Sequence, residues 1–377
     1  MRIVIAGGGT GGHVTPALAT IAALRARGVA PLELLWIGSS GGIEGRMAAE
    51  RGIPFRAIQA GKLRRYLSIE NLIDFGRIPV GTAQALAILR RFHPEVIFST
   101  GGFVSVPTVA AGWALRLPIL THEQTAQFGL ANRINLRFAT TIALTYEASR
   151  AFVPHTAKRV VVTGNPVRDE ILHGDPAEGA RLFALDSALP MVYITGGALG
   201  SQAINGAVAA ILPQLLAHYQ VIHSRGTQPD IPTLDDLQAR VAGLPTAARA
   251  RYVVREFIGP ELPHIYALAA LVVGRAGAGT VAELAALGKP AILIPLPGTG
   301  GDEQTKNAHL LADAGGALLL PETDLTPERL LAAITGLLAP DEGAALARMS
   351  AAARTQAPVD AAGRLADELL RLTTRRG

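Results

Sequence analysis

Two glycine-rich loops, each between an apolar segment and a helical one, constrain the fold of this chain most. Residues 2–6 lead into the glycine-rich loop 7–13, and residues 191–195 lead into the loop 196–201. A buried strand that ends in glycines and is followed by a helix is the beginning of a Rossmann-like domain. Since 377 residues are too many for one ordinary core, the repeat predicts two such domains in tandem.

Short apolar segments alternate with longer segments of helical period along the rest of the chain. Predicted strands are 2–6, 34–37, 96–99, 119–121, 160–162, 191–195, 220–223, 252–254, 271–273 and 291–294, with helices between them, as at 16–27 and 78–91. This alternation favours parallel sheets covered by helices. We predict an N-terminal domain over 1–163, a joint at 164–168 where glycine and proline interrupt the pattern, and a C-terminal domain over 169–377. The part from residue 341 is predicted to be mostly helical, with a break near Pro358.

The composition excludes several kinds of protein. The chain has no cysteine, which excludes disulfides, a thiol nucleophile and thiolate metal sites. No apolar run is long enough to span a bilayer, and the first residues predict a strand rather than a signal peptide, so a cytoplasmic protein is expected. The net charge of +5 suits nucleic acid, anionic lipid or phosphorylated substrates. With only 5% aromatic residues and no nucleic-acid motif, nucleic acid is the least favoured of the three.

The first glycine loop is suited to a phosphate. Glycines let an anion approach backbone N–H groups, and the start of the following helix adds a partial positive charge. Gly7, Gly9 and Gly12 also match the dinucleotide fingerprint of dehydrogenases. Such an enzyme needs an acidic residue at the end of the second strand, but Gly38 and two serines stand there, and Glu33 lies at its beginning. A nicotinamide site is therefore disfavoured, and a tight turn without a ligand is the remaining alternative.

A third glycine-rich segment, at 274–283, is followed by a polar loop at 296–307 that leads into another helix. Small side chains leave room for a sugar against backbone amides, and Glu283 is a candidate to accept hydrogen bonds from ribose hydroxyls. The ordinary alternative for Glu283 is a favourable interaction with the helix dipole. Gln304 and Asn307 are candidates to bind sugar hydroxyls, and the alternative is the polarity common at a helix start.

The order and spacing of several motifs resemble those of the MurG family of N-acetylglucosaminyltransferases over nearly the whole chain. The matching segments are 8–14, 101–105, 122–124, 164–168, 196–197, 256–258, 277–283 and 302–308. The resemblance implies the α/β GT-B architecture, with two Rossmann-like domains, a cleft between them, the acceptor bound by the first domain and the donor mainly by the second. It also implies an inverting transfer of N-acetylglucosamine from UDP-GlcNAc to the muramoyl sugar of lipid I, which forms lipid II in peptidoglycan synthesis, without a cofactor.

The resemblance further implies which residues bind each substrate. Donor contacts are implied for Thr10, Gly11, Gly12, Thr125, Arg168, Ala198, Ile258, Ala278, Gly279, Thr280, Val281, Ala282, Glu283 and Gln304. Within this set, Arg168 is expected to reach the nucleotide, Ile258 to lie by the uracil and Glu283 to bind the ribose. Acceptor contacts are implied for two loops that are expected to bind the acceptor diphosphate, and they comprise Gly11, Gly12, His13, Gly101, Gly102 and Phe103.

The sequence departs from the family pattern at several of these positions. Thr125 stands where the family usually has Asn, Phe103 where it has Tyr, and Ala276 where it has Ser, while Ala198 lies in an altered second glycine loop. Backbone contacts to phosphate survive such changes, whereas side-chain contacts do not. The alternatives are therefore a related transferase with a different sugar donor or lipid acceptor, or a non-enzymatic regulator that binds nucleotide sugars.

An inverting transfer needs a base for the acceptor hydroxyl and stabilisation of the departing UDP. His13 is the first candidate for the base, because the unperturbed pKa of histidine lies near neutral pH, and its alternatives are packing on the loop or binding acceptor phosphate. Glu123 is the second candidate, with support of a helix start as its alternative. Helix N-termini and Arg168 are expected to stabilise the leaving group. Asp302 and Glu303 are expected to be solvated rather than to bind a metal ion.

A basic and apolar segment, 62–67, precedes further apolar residues at Leu72, Ile73, Phe75 and Ile78. Such a surface suits anionic lipid, and the alternative is an ordinary helix pair with its apolar side inward. Together with the resemblance, the segment predicts a peripheral protein on the cytoplasmic face of the cell membrane. The expected partners are UDP-GlcNAc, lipid I and the membrane surface, without nucleic acid.

Overall fold

The chain divides into two structural units. Unit 1 contains Met1–Arg168 and Pro358–Gly377, and unit 2 contains Asp169–Ala357. The computed structural model describes residues 1–61, 69–125, 128–154, 159–298, 302–339, 343–357 and 360–374, with the backbone alone over 69–75. Within these ranges, every helix is too short or too polar to cross a bilayer.

Unit 1 is built on a parallel sheet of seven strands in the order β3-β2-β1-β4-β5-β6-β7. Its strands are β1 Arg2–Gly7, β2 Glu33–Ser39, β3 Phe55–Ile58, β4 Val96–Gly101, β5 Ile119–Glu123, β6 Thr141–Leu144 and β7 Val160–Val162. Its first helices are α1 Gly11–Ala26, α2 Ile43–Glu50, α3 Ile69–Phe92, α4 Ser105–Ala114 and α5 Leu130–Asn135, followed by a short 3-10 helix at Glu147–Phe152. The central strands β1, β4 and β5 are buried at nearly every position, because helices cover both faces of a parallel sheet.

Unit 2 repeats this design with six parallel strands in the order β10-β9-β8-β11-β12-β13. Its strands are β8 Met191–Thr195, β9 Gln220–Ser224, β10 Tyr252–Arg255, β11 Ala269–Gly274, β12 Ala291–Leu293 and β13 Ala317–Leu319. Its α-helices are α6 Asp169–Leu172, α7 Pro176–Phe183, α8 Gln202–His218, α9 Leu234–Ala239, α10 Thr246–Arg249, α11 Leu262–Leu268, α12 Ala278–Leu287, α13 Glu303–Ala312, α14 Pro327–Leu337 and α15 Gly343–Thr355. A buried cluster of aliphatic side chains from the central strands, α8 and α14 forms its largest core.

The strand order reverses beside the first strand of each unit. In unit 1, β1 lies between β2 and β4, and in unit 2, β8 lies between β9 and β11. Doubly wound sheets bind their ligands outside the carboxyl ends of the strands at such a reversal. Glycine loops follow β1, β4, β8 and β11, so each unit presents glycine backbone at this edge. The predicted α/β class with two Rossmann-like domains is confirmed.

The limits of the units differ from the predicted domains, because the last helix, α16 Ala361–Thr374, lies with unit 1. Leu369 on this helix is 1% exposed and is buried in the unit 1 core beside α1. Glu368 accepts a hydrogen bond of 2.9 Å from Arg159, which lies just before β7. An amphipathic helix buries its apolar face against a complementary surface, and here unit 1 provides that surface.

The predicted joint at 164–168 also lies in unit 1, whose first segment ends at Arg168. The helices expected after residue 341 are present as α15 and α16, which end and begin on either side of Pro358. Pro358 itself lies outside the described residues.

Candidate functional site

The first glycine loop, between β1 and α1, is shaped by a buried carboxylate that the sequence analysis missed. Glu44 on α2 has no exposed surface, and its Oε2 accepts a 3.0 Å hydrogen bond from the N–H of Gly9. Its Oε1 accepts from the N–H and the hydroxyl of Ser39, at 2.9 and 2.8 Å. A Cβ on Gly8 would lie 2.4 Å from the Glu44 carboxyl carbon. Glu44 is therefore directed inward onto the loop, and it is not presented to a ribose as in a dehydrogenase.

His13 lies in the first turn of α1, on the side that faces β4. Its Nδ1 is 2.9 Å from the carbonyl oxygen of Thr100 and 3.2 Å from Oε1 of Gln124. The hydroxyl of Thr100 donates in return to the His13 carbonyl, at 2.5 Å. Burial lowers the pKa of His13 below its ordinary value, while these hydrogen bonds and the Glu44 carboxylate act in the opposite direction. The ring is therefore fixed in position and neutral at neutral pH.

A second histidine, on β5, contacts the same glutamine side chain as the first. His122 is fully buried, and its Nε2 is 3.0 Å from the carbonyl oxygen of Gly164. Its Nδ1 is 3.2 Å from Nε2 of Gln124, which also donates to the Thr100 carbonyl at 2.8 Å. Burial lowers the pKa of His122 to about 4, so this ring is neutral as well. Gln124 thus lies between two neutral histidines.

Glu123, the second candidate for the base, is engaged inside unit 1. It is 2% exposed, and its Oε1 accepts from the N–H and the hydroxyl of Thr125, at 3.0 and 2.8 Å. Its Oε2 accepts from the side-chain amide of Asn132 at 2.9 Å. These contacts join the end of β5 to α5, which favours the structural alternative for Glu123. They also engage the hydroxyl of Thr125, so its expected donor contact remains a prediction.

The loop after β4 packs directly on the first glycine loop. Gly101 and Gly102 have φ angles of +92° and +80°, which favour glycine. A Cβ on Gly102 would lie 2.2 Å from the Gly8 carbonyl oxygen, and one on Gly9 would lie 3.0 Å from the ring of Phe103. The structure therefore brings the predicted acceptor residues of this loop together with the first glycine loop, at the strand reversal of unit 1.

In unit 2, the loop after β8 is held by backbone contacts. Gly200 and Gly226 have φ angles of +90° and +97°, and a Cβ on Gly226 would lie 2.2 Å from the Gly200 Cα. Ser201 caps α8 by accepting from the N–H of Ile204, at 3.3 Å. Ala198 is exposed, and its carbonyl accepts from the N–H of Thr227. This loop therefore presents backbone, the small side chain of Ala198 and the apolar side chain of Leu199, which is 61% exposed, to solvent.

The loop after β11 leads into α12, which holds most of the predicted donor residues. The helix begins at Ala278, and residues 278–280 are half-buried. The N–H groups of such a first turn have no acceptor within the helix. Glu283 lies in the second turn, beyond the predicted helix start, and is 8% exposed. Its Oε2 accepts from the hydroxyl of Tyr266, at 3.2 Å. Val281 and Ala282 are buried, so their side chains pack inward.

The remaining predicted donor residues of unit 2 lie at the start of α13 and after β10. Gln304, in the first turn of α13, accepts from the N–H of Leu296 through Oε1, at 3.0 Å. Asn307 donates to the carbonyl of Ala276 at 3.2 Å, and its own Oδ1 is buried without a hydrogen-bond partner in the described structure. Ile258 follows β10 and is 6% exposed. These contacts place Gln304 and Asn307 beside the end of β11 and the loop after β12.

The predicted donor residues are divided between the units. Thr10, Gly11, Gly12, Thr125 and Arg168 lie in unit 1, and the others lie in unit 2. Thr10 and Gly12 are exposed at the start of α1, with Gly11 half-buried between them.

One buried cation, Arg275, joins several loops of unit 2 and was also missed from the sequence. Its Nη2 donates to the hydroxyl of Ser201 at 2.6 Å and forms an ion pair with Glu322. Its Nη1 donates to the carbonyls of Ile294 and Pro295, both at 3.1 Å. Arg275 therefore fixes the ends of β11 and β12 relative to the start of α8.

Two further predictions concern a metal ion and the membrane. Among the residues that the structure describes, no group of His, Asp or Glu is arranged to hold a metal ion. Asp302 accepts a 2.8 Å hydrogen bond from the hydroxyl of Thr305, as the N-cap residue of α13. The predicted membrane segment at 62–67 and the side chains of Leu72, Ile73 and Phe75 lie outside the described residues, whereas Ile78 is half-buried on α3.

Comparison with known proteins shows similarity over about nine-tenths of the chain to a group of glycosyltransferases. Residues 3–144 match the glycosyltransferase family 28 N-terminal domain, and residues 191–365 match the family 28 C-terminal domain. A UDP-N-acetylglucosamine–N-acetylmuramyl-(pentapeptide) pyrophosphoryl-undecaprenol N-acetylglucosamine transferase of Lachnospira eligens is 38% identical over 90% of this chain and 91% of its own length. A Bacillus cereus transferase of the same name, numbered 2, is 39% identical over 88% and 89%.

A solved structure shows the same relationship. The crystal structure of MurG from Acinetobacter baumannii has a TM-score of 0.71 and 27% sequence identity to this chain. The comparison covers 98% of this chain and 99% of that one.

Proposed function

The chain belongs to glycosyltransferase family 28 and, within it, to the MurG transferases, and we propose that it transfers N-acetylglucosamine from UDP-GlcNAc to the muramoyl sugar of lipid I, which forms lipid II. The observation that carries this proposal is the similarity, over about nine-tenths of the chain, to relatives named for that reaction. The geometry of unit 1 adds a neutral, fixed histidine at the strand reversal where a ligand is expected.

His13 acts as the base in this proposal. Because the Thr100 carbonyl can only accept, Nδ1 of His13 carries the proton and the lone pair of the neutral ring is on Nε2. Nε2 takes the proton of the acceptor hydroxyl as that oxygen forms a bond to C1 of the sugar. The bond between C1 and the UDP oxygen breaks, its electron pair leaves with UDP, and the anomeric centre is inverted.

Unit 2 provides the donor contacts in this proposal. The N–H groups of the first turn of α12 suit the negative charge that develops on the departing diphosphate. The carboxylate of Glu283 is buried and oriented by Tyr266, which suits it to accept from ribose hydroxyls. Ile258 is expected to lie by the uracil, Gln304 to bind the sugar and Arg168 to reach the nucleotide.

We also propose that unit 1 binds the cytoplasmic face of the membrane. Trp113 on α4 is 58% exposed, and its ring lies 5.3 Å from that of Phe138. Val80, on the neighbouring α3, is 45% exposed, and Arg116 and Arg137 are exposed nearby in the sequence. Exposed apolar side chains beside basic ones suit an anionic lipid surface.

Vesicle binding tests the membrane proposal. Sedimentation with phosphatidylglycerol vesicles should capture the protein, phosphatidylcholine vesicles should capture less, and Trp113→Ser should weaken capture. Phe152→Ser is a matched control, since Phe152 is 50% exposed and also contacts a second phenylalanine ring. Equal capture of both variants would contradict the assignment of this surface.

A transfer assay over a panel of substrates tests the proposed reaction. UDP-GlcNAc, UDP-GalNAc and UDP-glucose are each offered with a soluble lipid I analogue and with diacylglycerol. We expect transfer from UDP-GlcNAc to the lipid I analogue alone. Transfer only to diacylglycerol, or only from another sugar, would contradict the proposed substrates, and binding of UDP-GlcNAc without any transfer would favour a regulator.

A further inference from the structure

Gln124 follows β5 and contacts both histidines of unit 1. Its side chain is buried, with 3% of the residue exposed. Its Oε1 is 3.2 Å from Nδ1 of His13, and its Nε2 is 3.2 Å from Nδ1 of His122. Its Nε2 also donates to the Thr100 carbonyl at 2.8 Å. The amide therefore connects the two rings through opposite ends.

The direction of each hydrogen bond follows from one backbone carbonyl. The oxygen of Gly164 can only accept, so Nε2 of His122 carries the proton and Nδ1 of that neutral ring is bare. A bare nitrogen accepts, so the NH₂ group of Gln124 faces His122. The amide oxygen then faces His13, and it accepts from an Nδ1 that carries a proton. The series of hydrogen bonds that begins at Gly164 therefore implies the same tautomer of His13 as the Thr100 carbonyl does.

We propose that Gln124 is a positioning residue, which holds neutral His13 in its Nδ1–H form and leaves Nε2 as the proton acceptor of the transfer. This inference rests on the proposed function, in which His13 is the base. Gln124 does not touch the reacting atoms in this role, because it contacts the far side of the ring. Without its oxygen, Nδ1 of His13 keeps one acceptor, the Thr100 carbonyl, and the ring loses the second contact that fixes its plane.

The charged groups around His13 set the direction of any change in its titration. The Glu44 carboxylate on α2 favours the protonated form of His13, whereas His122 on β5 is neutral. Glu123 is also on β5, but its carboxylate accepts from Thr125 and Asn132. A carboxylate in place of the Gln124 amide would stabilise the imidazolium of His13, and an apolar side chain would remove a favourable acceptor.

Nuclear magnetic resonance of the full-length protein with ¹⁵N-labelled histidine tests this arrangement without requiring activity. The His13 signals are assigned with His13→Ala. In the wild type, Nδ1 of neutral His13 should be the protonated nitrogen. Its titration midpoint should rise in Gln124→Glu and fall in Gln124→Met. Thr121→Val is the matched control, because the buried hydroxyl of Thr121 on β5 has no hydrogen-bond partner in the described structure. The titration midpoint of His13 in this variant should equal that in the wild type.

Steady-state kinetics on the same variants complete the test. Gln124→Met should lower kcat by about tenfold or more, within the roughly 10²–10⁴-fold that a positioned base contributes, with little change in either KM. The proposal would be overturned if neutral His13 of the wild type were protonated at Nε2. It would also be overturned if the titration midpoint of His13 moved in neither Gln124→Glu nor Gln124→Met while both variants were folded. If the midpoints move as expected but the wild type transfers no N-acetylglucosamine, the positioning role stands and only the proposed function fails.

Discussion

The hydroxyl of Tyr266 donates a 3.2 Å hydrogen bond to Oε2 of Glu283, so the carboxylate expected at the ribose is oriented from inside unit 2. Both residues are buried, and the Tyr266 ring contacts that of Tyr193 edge to face, with centroids 5.7 Å apart. A carboxylate that only balanced a helix dipole would lie in the first turn of α12, where the described helix has no acidic residue. The arrangement therefore favours a ligand contact for Glu283.

We predict that Glu283→Ala weakens UDP-GlcNAc binding far more than acceptor binding. Hydrogen bonds to a charged group contribute about 1.5–3 kcal/mol, which corresponds to a tenfold or larger rise in the donor Kd. Isothermal titration calorimetry measures this change. Glu328→Ala is the control, because Glu328 is exposed in the first turn of α14 and has the role of a helix-start charge. Equal donor affinity in the wild type and in both variants would show that Glu283 does not bind the donor.

A smaller loss of donor affinity is expected for Tyr266→Phe, which removes only the hydroxyl that orients Glu283. The effect on the donor is indirect, because the Tyr266 hydroxyl contacts Glu283 rather than the ribose in this proposal. In Glu283→Ala, the same tyrosine substitution should change the donor Kd little, because its partner is gone. Additive losses in the double variant, measured by the same calorimetry, would contradict a role of Tyr266 through Glu283.

Much of the fold was predictable because buried parallel strands are nearly continuous apolar runs. Each of the ten predicted strands is present, with ends that shift by at most two residues. The missed strands are short or partly polar: β3 has two exposed residues, β6 begins with a threonine, and β13 has three residues. The return of α16 to unit 1 was not predictable, because its apolar face indicates burial without indicating the partner.

In the candidate site, too, the partners of a residue could be predicted only where they are close in the sequence. Strand, glycine loop and helix are consecutive in the sequence, so the loops and His13 were identified directly. Glu44 and Gln124 act through contacts with residues 35 and 111 positions away, and nothing local indicates where their side chains point. A clue to Gln124 was its position two residues after His122, because side chains two residues apart in extended backbone point to the same side.

The docking of α16 gives a stability prediction for unit 1. Leu369→Ala should lower the free energy of unfolding of unit 1 by about 2–5 kcal/mol, because it opens a cavity in a closed core. Leu370→Ala, next to it on the same helix and only partly buried, should cost clearly less. Both tryptophans, Trp36 and Trp113, lie in unit 1, so urea unfolding followed by their fluorescence reports this unit. Equal effects of the two substitutions would contradict the described packing.

The buried histidine of unit 2 predicts a loss of stability in acid. His223 contacts the Tyr252 hydroxyl and Oδ1 of Asn205, both at 3.0 Å, and burial, with Arg225 nearby, lowers its pKa to about 3. The unfolded chain, with a histidine pKa of about 6.5, binds more protons over the range between these values. Stability should therefore fall as pH decreases from about 6.5 towards 3, by about 1.4 kcal/mol per pH unit for this group.

Hydrogen exchange of β8 and β9 peptides at several pH values measures this loss. His223→Gln removes the titrating group, so its protection factors should fall less steeply between pH 6 and pH 4.5. Identical slopes for the wild type and the variant would show that His223 does not control the acid sensitivity of unit 2.

The role of His13 is separated from its alternative by comparing two substitutions. If His13 is the base, His13→Ala should lower kcat by about 10²–10⁴-fold and leave UDP-GlcNAc affinity nearly unchanged, because most donor contacts are expected in unit 2. In the wild type, burial places the pKa of His13 below its ordinary value, so the acidic limb of the pH–rate profile should lie below that of an unperturbed histidine and should vanish in His13→Ala. If His13 instead holds the acceptor diphosphate, the loss should be chiefly a raised acceptor KM, and His13→Arg should partly restore it. Arginine cannot take a proton near neutral pH, so a restored rate in His13→Arg would overturn the base assignment and leave the fold and donor contacts unaffected.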